Sequence, residues 1–260
     1  MPPHSASAPV ILALETATTC GSLALVAEDR CLAEYSLNTA ISMDGLMPPP
    51  GPGRAKATTS HSRSLLAGIH WILAQCQLGW PQIGAIAVGL GPGSFTGLRI
   101  ALSTAKGLCL AAEKPLIGVE TLTGLASQFP FSSLPICPVV DARKKEIYTA
   151  LYRCNREGIP EKVTEAMVIK PERLPEFITT PTLLVGDGLP LYGRMLKERL
   201  GELACLAPPE ICFARAASIG SAAWRLFRQG SFLDPATAVP VYVRASDAEL
   251  QFGEKKGIRR

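Results

Sequence analysis

The sequence predicts an α/β protein built as two duplicated lobes, each a mixed sheet with helices. Three observations point there. The first half reads strand, polar turn, strand, helix, strand, helix, strand. The second half repeats the opening of that order. In both halves a glycine turn joins an apolar strand to a helix, which gathers the turns at the strand ends where α/β proteins hold ligands.

The first lobe opens with "VILALETATTCGSLALVAEDR", an apolar strand, a polar turn from Glu15 to Gly21, and a second apolar strand. That is a hairpin with an acid at its tip. The next stretch, "NTAISMDGLMPPPGPGRAKATTS" at 38–60, is rich in Pro, Gly and Ser and reads as a mobile excursion without assigned chemistry. From His61 the pattern turns helical, with Leu65, Leu66, Ile69, Ile72, Leu73 and Cys76 on one side and Ser60 or Ser62 as cap. "IGAIAVGL" follows as a buried strand, then "GLGPGSFTGLRI", a helix from about Thr96 to Ala112, and "PLIGVE".

In the second lobe "PICPVVDARKKEIYTALYRCN" again reads strand, acid-bearing turn, strand, with Asp141 standing where Glu15 stood. "TLLVGDGLPLYGRMLKERL" repeats the strand, glycine turn and helix of "AIAVGLGPGSFTGLRIALS". Chance likeness between generic α/β segments is the competing explanation, and duplication is preferred to it. The expected division is a tail at 1–8, a first lobe at 9–121 containing the 38–60 insertion, a second lobe at 122–245, and a basic tail at 246–260. A helix near 215–229 has the option of packing back on the first lobe.

Composition sets limits. The 260 residues can fill a real core, and the net charge of +4 is spread too thinly to mark a nucleic-acid groove. No apolar run reaches the ~18 residues a membrane span needs, and "MPPHSASAPV" lacks the features of a secretion signal. The eight cysteines are scattered with no C-x-x-C pair, so neither zinc nor disulfides are indicated and a cytosolic chain is expected. His61 and His70 point to opposite sides of their helix and cannot share a metal.

The loop "GLGPGSFTGLRI" fails three phosphate or nucleophile motifs. A P-loop needs lysine after its second glycine, but Leu98 follows Gly97. A dinucleotide fingerprint counted from Gly91 and Gly93 ends on Thr96 instead of glycine. A nucleophile elbow needs glycine two places before serine, where Pro92 precedes Ser94. What remains is a Gly-Pro-Gly turn and a helix capped by Ser94 or Thr96. Two readings stay open: an anion or nucleotide phosphate held by Gly91, Gly93, Ser94 and Thr96 with Arg99 nearby, or a well-capped structural turn. The tip charges Glu15, Asp141 and Arg143 divide in the same way, between solvated turns and a shared cleft.

The helix after the loop has a core stripe of Leu98, Ala101, Leu102, Ala105, Leu108 and Cys109, and opposite it Ile100, Thr104 and Gly107. On the preceding helix Ala67, Trp71 and Ala74 also lie off the core stripe. These second faces read either as a partner surface or as positions covered by an outer layer of the same chain.

"ILALETATTCGSLAL", "HSRSLL", "IAVGLGPGSFTGLRIALSTAKGLCLAAEKPLIGVETLTGLA", "PVVDARKKEIYTALY" and "PVYVR", spread from about residue 9 to 245, together resemble the TsaB (YeaZ) family. The resemblance implies an actin-like, sugar-kinase-like fold and a place in the machinery that installs threonylcarbamoyladenosine on tRNA. It implies a non-catalytic scaffold that pairs with the catalytic paralogue TsaD, forms homodimers when alone, works with the small ATPase TsaE and meets tRNA through the complex. It implies no metal or cofactor of its own, with ATP, ADP and magnesium acting at the level of the complex. The family's dimer surface lies on its first two helices, matched here to about 61–77 and 96–112, so Ala67, Trp71, Ala74, Ile100, Thr104 and Gly107 are carried onto it. Glu15 stands where the family usually has Asp, and the 38–60 insertion is a second departure. An ATP-dependent small-molecule kinase of the same fold is the alternative, and a metallopeptidase ranks last.

Overall fold

Apolar residues at successive positions of the first strand divide its two faces between two helical layers. β1 (Val10–Glu15) turns Leu12 and Leu14 toward α1 (His61–Gln75) and α2 (Phe95–Ala112), and Ile11 and Ala13 toward α5 (Ala216–Arg228). The computed structural model describes residues 9–38 and 61–243. The tails at 1–8 and 246–260, the 39–60 part of the Pro-rich stretch and Ser60 lie outside the described residues.

β1 sits at the centre of a five-stranded sheet. It pairs antiparallel with β2 (Cys20–Val26), which pairs antiparallel with β3 (Cys31–Asn38). On its other side it runs parallel to β4 (Ile83–Gly89), and β4 parallel to β5 (Leu116–Val119). After α3 (Thr121–Ala126) the same order is built again from β6 (Ile136–Asp141), β7 (Ile147–Thr149), β10 (Met167–Ile169), β11 (Thr182–Val185) and β12 (Ala204–Leu206). β6 is antiparallel to β7 and parallel to β11, β7 is antiparallel to β10, and β11 is parallel to β12. β8 (Tyr152–Cys154) and β9 (Pro160–Lys162) are an added hairpin on β6. The crossovers from β4 to β5 and from β11 to β12 each pass through a helix, α2 in the first lobe and α4 (Leu189–Leu200) in the second. Two copies of one mixed sheet, each with its crossover helix, make up the duplicated α/β fold.

The second core gathers Leu122 and Leu125 of α3, Val139 and Leu184 of the strands, and Leu196 and Leu200 of α4. The chain then returns to the first lobe. α5 lays Ile219, Ala223 and Trp224 on the first sheet, where Trp224 Nε1 donates to the Val26 carbonyl at 3.0 Å and the Ala216 amide to Ser22 Oγ at 2.8 Å. Beyond α5 the Leu233 amide bonds the Leu116 carbonyl and the Val241 amide the Leu90 carbonyl, each at 2.8 Å. A strap is thereby fixed beside α2.

Three local expectations change. Leu66, assigned to the core stripe of α1, is 52% exposed, because it lies on the flank of the arc set by Leu65, Ile69, Ile72 and Leu73. Ser62 falls inside α1 and cannot cap it from there. α2 begins at Phe95 with Ser94 as its cap, so Thr96 is already helical.

Candidate functional site

The strand ends of both lobes converge on a cleft of about 530 Å³. Its walls are the β1–β2 turn at Thr16–Thr19, the loop Gly93–Gly97, the β6–β7 turn at Asp141–Lys144, and Asp187 from the turn between β11 and α4.

The glycine loop packs on the hairpin turn. The Ser94 amide donates to the Ala17 carbonyl at 2.6 Å, and Thr16 Oγ1 donates to the Gly97 carbonyl at 2.7 Å. A β-carbon at Gly93 would overlap the Ala17 carbonyl, and one at Gly97 the Thr16 carbonyl. Ser94 Oγ accepts from the Gly97 amide at 3.2 Å, an N-cap bond that takes up one of the free donors of the helix end. The glycines therefore admit another stretch of the same chain.

Asp187 is nearly buried, and its two oxygens reach different lobes. Oδ2 accepts from the Thr19 amide and Oδ1 from the Asp141 amide, each at 3.2 Å, while burial raises its pKa above the usual carboxylate value. Asp141 Oδ1 accepts from the Arg143 amide at 2.9 Å, and Oδ2 pairs with the Arg143 guanidinium at 3.2 Å. Arg143, Lys144 and Lys145 have φ of 62°, 52° and 61°, consecutive left-handed residues that cost on the order of 1 kcal/mol or more each. That bend turns a basic tip over the cleft, with Arg143 and Lys144 on its wall.

Of the anticipated cleft residues, Gly93, Ser94, Thr96, Asp141 and Arg143 line it. Glu15, Gly91 and Arg99 do not. Glu15 is fully buried beneath the turn, where it accepts hydrogen bonds from the Ala17 amide and, at 3.0 Å, from Thr121 Oγ1. Burial pushes its pKa up to about 7, against bonds from Ala17, Thr121 and Thr16 that lower it. Both prior readings of Glu15, solvated tip and cleft ligand, give way to a buried acid that closes the end of β1. Gly91 is buried, with its amide on Thr121 Oγ1 at 3.2 Å. Arg99 turns away, its guanidinium 4.0 Å from the centre of the Phe95 ring. Asp187 and Thr19 were not anticipated as site residues. The signal was the repeat itself, which sets the "VGDG" turn opposite "GLGPG" and so delivers an acid to the cleft.

The helical face divides. Ala67, Trp71, Ala74 and Gly107 are exposed, with Trp71 at 53% and its ring centre 6.2 Å from that of Tyr35. Ile100 and Thr104 are half-buried, and Ile100 packs toward the strap. On α2 the strap lies beside Ile100, while α1 keeps Leu66, Ala67, Trp71 and Ala74 exposed among the described residues.

Residues 39–193 match the family model for TsaD, tRNA N6-adenosine threonylcarbamoyltransferase. The tRNA threonylcarbamoyladenosine biosynthesis protein TsaB of Escherichia coli is 30% identical over 239 residues, which cover 90% of this chain and 94% of that one. The Bacillus subtilis protein of the same name is 26% identical over 257 residues, 95% of this chain and 99% of that one. Among solved structures, YeaZ from Pseudomonas aeruginosa superposes with a TM-score of 0.69 at 26% identity, covering 90% of this chain and 99% of its own. The sequence resemblance and the superposed lobes agree, and the chain belongs to the TsaB (YeaZ) family.

Proposed function

We propose that this protein serves tRNA threonylcarbamoyladenosine biosynthesis as a non-catalytic docking subunit that binds and stabilises the catalytic paralogue TsaD in the cytoplasm. The observation that carries the reading is the face of α1 left exposed among the described residues, where Leu66, Ala67, Trp71 and Ala74 present apolar surface with no formal charge among them. The match of this chain to the TsaD family model supports the choice of partner, because two chains of one fold can meet through the same pair of helices about a pseudo-twofold axis. The same face brings two copies together when TsaD is absent. TsaE and tRNA join at the level of the assembly, and the subunit carries no cofactor of its own, with ATP, ADP and magnesium acting in the complex.

The glycine loop favours this reading over a kinase. Gly93 and Gly97 are occupied by the Thr16–Ala17 backbone, and Asp187 is engaged by two amides. Phosphate transfer needs such groups aimed at the nucleotide and its metal.

Mixing the purified protein with TsaD and measuring the complex by size exclusion tests the proposal. A defined complex that Trp71→Arg weakens supports it. Absence of any complex with the wild-type chain, with the isolated chain hydrolysing ATP in response to a metabolite, would replace it with the kinase.

A further inference from the structure

A second groove, of about 690 Å³, runs between α2 and the strap at Ala238–Tyr242, away from the inter-lobe cleft. One wall presents Arg99 and Lys106, seven residues apart and so on the same side of α2. The other presents Val239 and Tyr242, 69% and 43% exposed. Tyr242 faces Phe95 with ring centres 5.5 Å apart and planes inclined by 31°, and Arg99 lies over the Phe95 ring. α2 carries no carboxylate, and neither does the strap from Ala238 to Val243. The walls are fixed, since the Val241 amide bonds Leu90, Lys106 Nζ reaches the Ala236 carbonyl at 3.5 Å, and Ala238 is buried in the first core.

We propose that this groove binds a single-stranded segment of RNA, with Arg99 and Lys106 on phosphates and the Phe95–Tyr242 platform stacking a base. Paired cations beside exposed aromatic faces are the chemistry that single-stranded nucleic acid requires. Charge favours an anionic occupant. The segment after Val243 carries Arg244, Lys255, Lys256, Arg259 and Arg260 against Asp247, Glu249 and Glu254, a net positive charge that Arg99 and Lys106 do not attract. A second copy meeting the groove symmetrically would set those cations against themselves. An anionic strand suits the groove. The choice of RNA among polyanions rests on the proposed role in tRNA modification; the groove and its charge do not. Ile100 borders both this groove and the helical face, so RNA held here would lie at the rim of a docked partner.

Fluorescence anisotropy of the full chain with a short labelled single-stranded RNA, titrated between about 50 and 200 mM salt, tests the inference. Arg99→Glu with Lys106→Glu should weaken binding at least about tenfold and reduce the salt slope by about 1.4, the loss of two phosphate contacts. Tyr242→Ala should weaken binding about tenfold with the slope unchanged, as loss of a stacked base requires. Trp71→Arg should leave RNA binding intact even where it disrupts the TsaD complex, which separates failure here from failure of the docking proposal. Wild-type affinity in the double reversal would overturn the inference. So would equal binding of polyglutamate that ignores Tyr242→Ala.

Discussion

Asp187 Oδ2 accepts the Thr19 backbone amide at 3.2 Å, so an acid from the second lobe closes a hydrogen bond on the first hairpin turn. Its other oxygen holds the Asp141 amide, which makes one side chain the tie between the tips of both hairpins. Replacing Asp187 with Ala leaves two backbone donors without their acceptor in a nearly buried setting, at a cost of about 1–3 kcal/mol. Denaturant unfolding should show that loss, and hydrogen exchange should show faster exchange at Thr19 and Asp141. Protection at both amides equal to wild type would contradict the tie.

Glu15 makes the fold sensitive to pH. Its folded pKa of about 7 stands above the ordinary 4.5, so the native state holds the proton more tightly than the unfolded chain. The contribution is fully present below about pH 4.5 and is lost as pH rises to about 7, on the order of 3 kcal/mol across that window. Glu15→Gln keeps the shape and removes the titration. Its unfolding free energy should decline less between pH 5 and 8 than that of wild type, measured in parallel urea titrations; parallel curves would refute the assignment.

The duplicated sheet was legible because each copy carries the same succession of apolar strand, acid-ended turn and glycine turn. Asp141 at the end of β6 does match Glu15 at the end of β1, opposite Ile147 and Ser22 in their pairings. What the two acids do was not legible. A polar residue in a Thr-rich turn reads as solvated, yet Glu15 is covered by Thr121 and Gly89, partners that lie far along the chain. Burial of a turn residue depends on such distant segments, and local pattern carries no record of them. Arg99 failed for a related reason: proximity in sequence to the loop did not fix its direction, and the Phe95 ring drew it to the other side of α2. β3 was also missed, since "CLAEYSLN" mixes Glu34 into its alternation, a charge explained by the Arg215–Glu34 ion pair and the Ala217 amide it accepts.

The loop glycines invite a direct test. A β-carbon at Gly97 would meet the Thr16 carbonyl, a backbone atom that no rotamer change can move. Gly97→Ala should therefore destabilise the protein by about 3 kcal/mol, the upper end of overpacking, despite alanine's better helix propensity. A melting temperature at or above wild type would show that the loop does not bear on the hairpin turn.

Gly107 offers the opposite case, and it separates folding from docking. Among the described residues nothing lies within 4 Å of the β-carbon it lacks, so Gly107→Ala should stabilise the isolated chain by about 1 kcal/mol through helix propensity alone. Gly107→Arg should be equally well folded, because the side chain leaves an exposed helical position into solvent. If the face shared by α1 and α2 receives the paralogue, the arginine obstructs close approach and should weaken the complex at least about tenfold, while alanine changes it little. Thermal melting of the two variants reads the first effect and titration calorimetry against TsaD the second. A complex that tolerates arginine at 107 with wild-type affinity would move the docking surface off this end of α2.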